Sequence, residues 1–179
     1  KISKEAASIV DEKKKTLSTS RDSAETLKQI QTASESLKSS ADQLTNTGKD
    51  SVFSKSQDEI YKAVDSFVTN YNKLIEGSAK SASDSITKRV DTLKNMTESN
   101  QKLLGQAGIT IGKDDTLTLD KDAFAKADAN TVKTLFSGSY SYASRVSSQS
   151  SFIDFAATQE AAKANTYTTK GTYSNTYAS

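Results

Sequence analysis

LLGQAGITIGKDDTLTLDKDAFAKADANTVKTLFSG, from Leu103 to Gly138, changes its hydrophobic period repeatedly within one short stretch. Leu103 and Leu104 close a helical pattern near Gly105. Ile109 and Ile111 then alternate with polar neighbours, as do Leu117 and Leu119, and residues two apart share one face of a strand. Gly112-Lys113-Asp114-Asp115 between them is hairpin turn chemistry. Asp120 is placed to cap a short helix containing Ala123, Phe124 and Ala127. Asn130 is placed to cap a second, which carries Val132, Leu135 and Phe136 and closes at Gly138. A two-stranded hairpin is marginal alone in water. Phe124, Leu135 and Phe136 are therefore expected to lie across its apolar face, with Phe136 as the main plug.

On the N-terminal side of this stretch the pattern is helical. Ile60, Val64, Phe67, Tyr71 and Leu74 alternate spacings of four and three, the clearest helical face in the chain, and Val68 and Ile75 widen it. Ser56 and Glu59 have the spacing of a capping box at its start. Gly77 marks a bend or break, after which the stripe resumes through Ile86, Val90, Leu93 and Met96 to Leu103, with polar Asn100 interrupting it. Further upstream run Leu27, Ile30, Ala33, Leu37, Ala41 and Leu44. Ile30, Leu37 and Leu44 are seven apart, on one stripe of a helix seam, and Gly48 supplies the stop. Ile2, Ala6, Ile9, Val10 and Leu17 form an earlier amphipathic pattern, with a break expected at Ser18 to Ser20.

Downstream, a last helix is expected from about Tyr140 through Val146, Gln149, Ile153, Ala156 or Ala157, Glu160 and Ala164. Beyond it the chain is Thr/Tyr-rich and of low complexity. The expected fold is mainly α: an elongated antiparallel helical bundle with coiled-coil-like seams, carrying a small β-hairpin plus short-helix cap. Residues 1–165 read as a single helical domain with 106–138 as a sub-element, and residues 166–179 as the tail.

Composition narrows the chemistry. Among 179 residues there is no cysteine, histidine, proline or tryptophan. Thiolate and imidazole chemistry, disulfides and the usual zinc ligands are thereby excluded. The absence of proline leaves long helices uninterrupted. Only 34% of residues are apolar, which suits narrow seams, and net charge is +2 with both signs interspersed, so no nucleic-acid footprint is expected. No apolar run approaches the roughly 18 residues that span a bilayer. Asp114, Asp115, Asp120 and Asp122 crowd together, but Leu117 and Leu119 fall within the span and neither the central glycine nor the terminal glutamate of a calcium loop is in place. Turn acids and a helix cap explain that cluster. No serine has a base partner. No catalytic, cofactor-binding or metal-ligating residue is assigned, and the expectation is a non-enzymatic protein without a cofactor.

The FVTNYNKLI helix (Phe67 to Ile75) taken with Leu103 to Gly138 resembles the C-terminal region of the flagellar filament-capping family, hook-associated protein type 2. The elements that carry the resemblance are Phe67-Val68 with Tyr71-Asn72, Gly108-Ile109-Thr110, Leu117-Thr118-Leu119-Asp120, Ala123 to Ala127, and Val132 to Gly138. Serine and threonine make up roughly a quarter of the chain, well above average usage, which also looks like flagellar axial proteins. The resemblance implies a secreted assembly protein of the bacterial flagellum or cell surface. Its partners would be further copies of itself and flagellin or other axial proteins. In that family a cap oligomer guides flagellin subunits into place, and some members contribute to adhesion. Where the family has β-rich domains before the FVTNYNKLI helix, this chain has the helical segment Ile2 to Leu44. Its alternative reading is a helical-bundle adaptor, cytosolic or at the cell surface, that retains the cap-protein core without the capping role.

Overall fold

The computed structural model describes residues 20–171, with side chains through residue 163. The expected pattern from Ile2 to Leu17 and the end of the Thr/Tyr-rich stretch lie outside the described residues. Four helices dominate: α1 (Ala24–Thr45), α2 (Gln57–Ser78), α3 (Asp84–Ser99) and the last helix, Tyr142–Gly171. Between α3 and the last helix come α4 (Gln101–Gln106), β1 (Ile109–Ile111), β2 (Leu117–Leu119), α5 (Lys121–Lys126) and α6 (Ala129–Phe136), which makes the last helix α7. The fold is mainly α with one two-stranded antiparallel sheet, as the periodicities imply.

Hydrogen bonds across the seams fix the helix directions. The Asn70 amide donates to the Ser36 carbonyl at 3.3 Å while Ser40 and Ser66 meet at 3.4 Å, so α1 and α2 run antiparallel. Gln31 donates to Thr158 at 3.2 Å and Ser147 donates to Asp42, which makes α7 antiparallel to α1. Ser85 donates to Glu160 at 3.2 Å while Thr97 meets Tyr142 at 2.8 Å, so α3 and α7 are antiparallel too. The helices therefore form a ring in the order α1, α2, α3, α7, with the α1/α7 seam the most extensive.

The heptad stripe Ile30, Leu37 and Leu44 is fully buried, as are Val64, Phe67, Tyr71 and Leu74 of α2. Ile60, expected in that stripe, is only partly buried, because it sits one turn from the helix start where fewer neighbours reach it. Ser34 and Ser150 are also wholly buried; each hydroxyl donates to its own helix's carbonyl four residues back, Ile30 and Val146, at 2.7 and 2.8 Å. That local bond satisfies the hydroxyl and leaves a side chain small enough for close helix approach. In α7 the buried stripe runs through Tyr142, Val146, Ser150, Ile153 and Ala157; Gln149 lies at its edge, so Ser150 takes the place expected of Gln149.

Ends follow side-chain chemistry. Ser23 and Ser56 cap α1 and α2 by accepting from the Thr26 and Glu59 amides at 3.1 and 3.2 Å. Asn100 breaks the expected continuous helix: its amide donates to the Met96 carbonyl at 2.9 Å, and α3 ends and α4 begins there. The cap of α6 is Asp128, not Asn130, since the Asp128 carboxylate accepts from the Asn130 amide at 2.8 Å. Asp120 caps α5 as expected. The last helix starts at Tyr142 rather than Tyr140, which is exposed, and its backbone stays helical beyond residue 165 through Gly171.

The hairpin has Ile109 opposite Leu119 and Ile111 opposite Leu117. It is clamped from α2: the Asn72 amide donates to the Leu117 carbonyl at 2.8 Å, and the Leu117 N–H donates to the Asn72 oxygen at 2.7 Å. One side chain thus serves Leu117 as a third strand would. Gly108, at φ +83°, leads into β1 beside α5, where a Cβ would stand 2.8 Å from the Phe124 nitrogen. Phe124 is buried against Tyr61, ring centroids 5.9 Å apart. Phe136, expected as the hairpin's plug, instead points into the bundle. Its ring lies 5.5 Å from that of Phe67 and 6.4 Å from that of Tyr142. An edge-to-face cluster of rings holds more apolar area there than a small hairpin can offer.

Candidate functional site

The four acidic residues near the hairpin all have structural work. Asp114 accepts from the Thr116 backbone and hydroxyl, which holds its carboxyl below the usual 3.8. Asp115 takes the left-handed turn position, φ 67°, and meets Lys94 at 3.4 Å. Asp120 is a cap, and Asp122 lies in the first turn of α5. Among the described residues no group of three or more acidic side chains is arranged to hold a metal ion, and no helix is long and apolar enough to cross a membrane.

Polar chemistry inside the bundle centres on three hydroxyls. Tyr71 donates to Thr97 at 2.9 Å, and Thr97 meets the Tyr142 hydroxyl at 2.8 Å, all three residues being buried. Burial pushes the Tyr71 phenol up to about 12 and the Tyr142 phenol well above 10. Both therefore stay protonated throughout the physiological range, as hydrogen-bonding groups and not as bases. A polar recess of about 220 Å³ lies over Tyr71, bounded by Lys94, Gln101 and Asp115.

A second polar knot joins the entry to α1 with the entry to α3. Asp22, 8% exposed, accepts from the Ala82 amide at 2.6 Å and from the hydroxyls of Ser81 and Ser83, the latter at 2.8 Å. Burial raises its carboxyl, but these donors outweigh that and hold it below 3.8. Ser83, the residue before α3, makes no side-chain cap bond of its own, so Asp22 anchors this helix start from a distant part of the chain. No sequence spacing signals a partner some sixty residues away.

Among the described residues, the outer surface of α7 carries an aromatic patch. Phe152 and Phe155 are 45% and 64% exposed on α7, on the opposite side from buried Ile153 and Ala157. They flank a cleft of about 510 Å³ between α3 and α7, which Lys88 and Arg89 border from α3. The Arg89 guanidinium sits 5.1 Å from the centre of the Phe152 ring, a cation–π contact. A larger cleft of about 550 Å³ between α1 and α2 is bordered by Lys28, Lys73, Glu76 and Lys80 but has no exposed aromatic ring. Of the two tyrosines at the entry to α7, Tyr140 is exposed and Tyr142 is a core residue.

Comparison with protein-family models, with curated proteins and with solved structures finds no match for this chain.

Proposed function

We propose that this protein is a non-enzymatic assembly protein of the bacterial flagellar axial type, similar to the filament cap and acting through protein contacts. The observation that carries the reading is the way the resembling segments interlock. Tyr71 and Asn72, adjacent in the FVTNYNKLI helix, face opposite tasks: Tyr71 enters the buried hydroxyl chain and Asn72 clamps the hairpin at Leu117. Val132 to Gly138 supplies Phe136 to the same core. A tyrosine–asparagine pair at that place therefore has a physical reason to accompany this hairpin and these helices. Its partners would be other copies of the chain and flagellin or other axial proteins outside the cell.

A second reading is favoured by the exposed Phe152 and Phe155: a helical-bundle adaptor that keeps this core and binds some other protein. Removing the gene from its own bacterium separates the two. A cap-like protein predicts flagellin lost to the medium as monomer and few or no filaments, restored by the intact gene. Filaments of normal number and length in the deletion strain would exclude the capping role and leave the adaptor.

A further inference from the structure

The α3/α7 cleft brings exposed aromatic rings and unpaired positive charge to one concave place. Phe152, Phe155 and Tyr140 are the large apolar side chains exposed among the described residues, and two of the three are here. Of the charged residues that line the cleft, Lys88, Arg89 and Lys163 are cationic and Glu160 alone is acidic. Glu160 is 8% exposed and accepts from the Ser85 hydroxyl and from Lys163, both at 3.2 Å. Lys88 and Arg89 have no carboxylate partner among the described residues. Asp84 and Asp91 lie within about a turn of Lys88 on α3, but neither lines the cleft or pairs with it. We infer that this cleft is a docking groove for an acidic amphipathic helix of another protein. The helix would set its apolar side chains against Phe152 and Phe155 and its carboxylates beside Lys88 and Arg89. Such a groove adds the partner's chemistry to either reading of the function and depends on neither; filament loss in the deletion strain does not bear on it.

Shape favours a helix as the occupant. The cleft runs about 11 Å along α3, from Ser85 to Thr92, and about 16 Å along α7, from Phe152 to Lys163. Two to three turns of a third helix fill that length, with apolar anchors at spacings of three and four. The Arg89 guanidinium, 5.1 Å from the centre of the Phe152 ring, steadies that ring, so less side-chain freedom is lost on docking. Aromatic rings and arginine are also the side chains that most often carry binding energy at protein contacts. Charge selects an acidic partner, because opposite potential steers the encounter and like charge repels other surfaces. A second copy of this chain fits poorly. Outside the cleft its described surface exposes only Tyr140 as a large apolar side chain, and a two-fold copy of the cleft would set cations against cations. An anionic membrane also attracts lysine and phenylalanine, but a bilayer surface does not fill a concave groove.

Selection of helical peptides against the full chain tests this. A displayed library randomised on one helix face should return large apolar anchors at i, i+3 or i+4 and i+7, with Asp or Glu beside them. Synthetic copies of the enriched peptides should lose roughly tenfold or more in affinity toward Phe155→Glu, a change at an exposed position checked for helix content by circular dichroism. Lys88→Gln combined with Arg89→Gln should also weaken them and should flatten the dependence of affinity on salt. No enrichment, enrichment of neutral or basic sequences, or binding that survives Phe155→Glu would overturn the inference. So would either rival occupant. Binding to phosphatidylglycerol vesicles that Phe155→Glu abolishes would assign the face to a membrane, and self-association abolished by the same change would assign it to a second copy.

Discussion

The residue whose replacement is most informative is Thr97, because two buried phenols converge on its hydroxyl. A buried polar group that loses its partner costs about 1–3 kcal/mol, whereas replacing all partners by apolar groups of similar shape is nearly neutral. Thr97→Val should therefore destabilise the fold by about 2 kcal/mol. The triple change Thr97→Val, Tyr71→Phe, Tyr142→Phe should recover most of that loss in urea titrations. A triple variant less stable than Thr97→Val would show that the hydroxyls do more than satisfy one another. Two carboxylates act in opposite senses on acid stability. Asp154 is raised above 3.8 by burial and by the nearby charge of Glu35. A raised folded-state value favours the fold at low pH and opposes it once both states are ionised, so Asp154→Asn should raise Tm at neutral pH. That gain should disappear as pH falls well below 3.8, where the wild-type group is protonated in both states. Asp22, held below 3.8, contributes stability above that pH and loses it on acidification. Melting curves of both proteins across the acid range check the sign; a gain that is independent of pH would exclude ionisation as its cause.

At the scale of elements, the hairpin and its clamp give a sharper expectation than the sequence alone allowed. Two strands of three residues each cannot offset their own ordering cost of roughly 1–2 kcal/mol per residue, so something must hold them. The apolar alternation located both strands and the turn correctly, since Ile109, Ile111, Leu117 and Leu119 each reveal a period of two. What it could not reveal was Asn72, a polar side chain in a helix forty-five residues away from Leu117. Long-range polar pairing leaves no periodic trace. The same reason hid Asp22. Phe136 was misassigned for another: its ring suits either the hairpin or the bundle by hydrophobicity and is decided only by where Phe67 and Tyr142 come to rest. Asn72→Ala should therefore raise amide exchange in β1 and β2 together while α1 and α7 stay protected. Phe136→Ala should act differently and raise exchange in the bundle as well. If Asn72→Ala changes exchange only at Leu117, the strands are held by their apolar faces and the clamp is incidental.

At the scale of the whole molecule, the short elements are joined to the bundle through shared core residues. Gly138 donates to the Thr45 carbonyl at 3.1 Å, tying the end of α6 to the end of α1. Phe136 sits among Phe67 of α2 and Tyr142 of α7, and the Thr97 hydroxyl links α2, α3 and α7. Three of the four long helices and the cap thus meet at one place, with no apolar layer dividing them. A core of this kind should be lost in a single step, as is usual for small domains. Helix content by circular dichroism and tyrosine fluorescence, which reports the buried rings in a chain without tryptophan, should give coincident urea transitions. Phe67→Ala removes the ring that contacts Tyr71, Phe136 and Tyr142, so it should cost about 3–5 kcal/mol and shift both transitions equally. It should leave the dependence on urea unchanged, because the surface exposed on unfolding stays the same. An early fluorescence transition followed by later loss of helix would mean that α1 and α7, with their long serine- and alanine-lined seam, survive without the aromatic cluster. The cap would then be an appendage to a two-helix core, and the shared burial at Phe67 would not be what makes the molecule one cooperative unit.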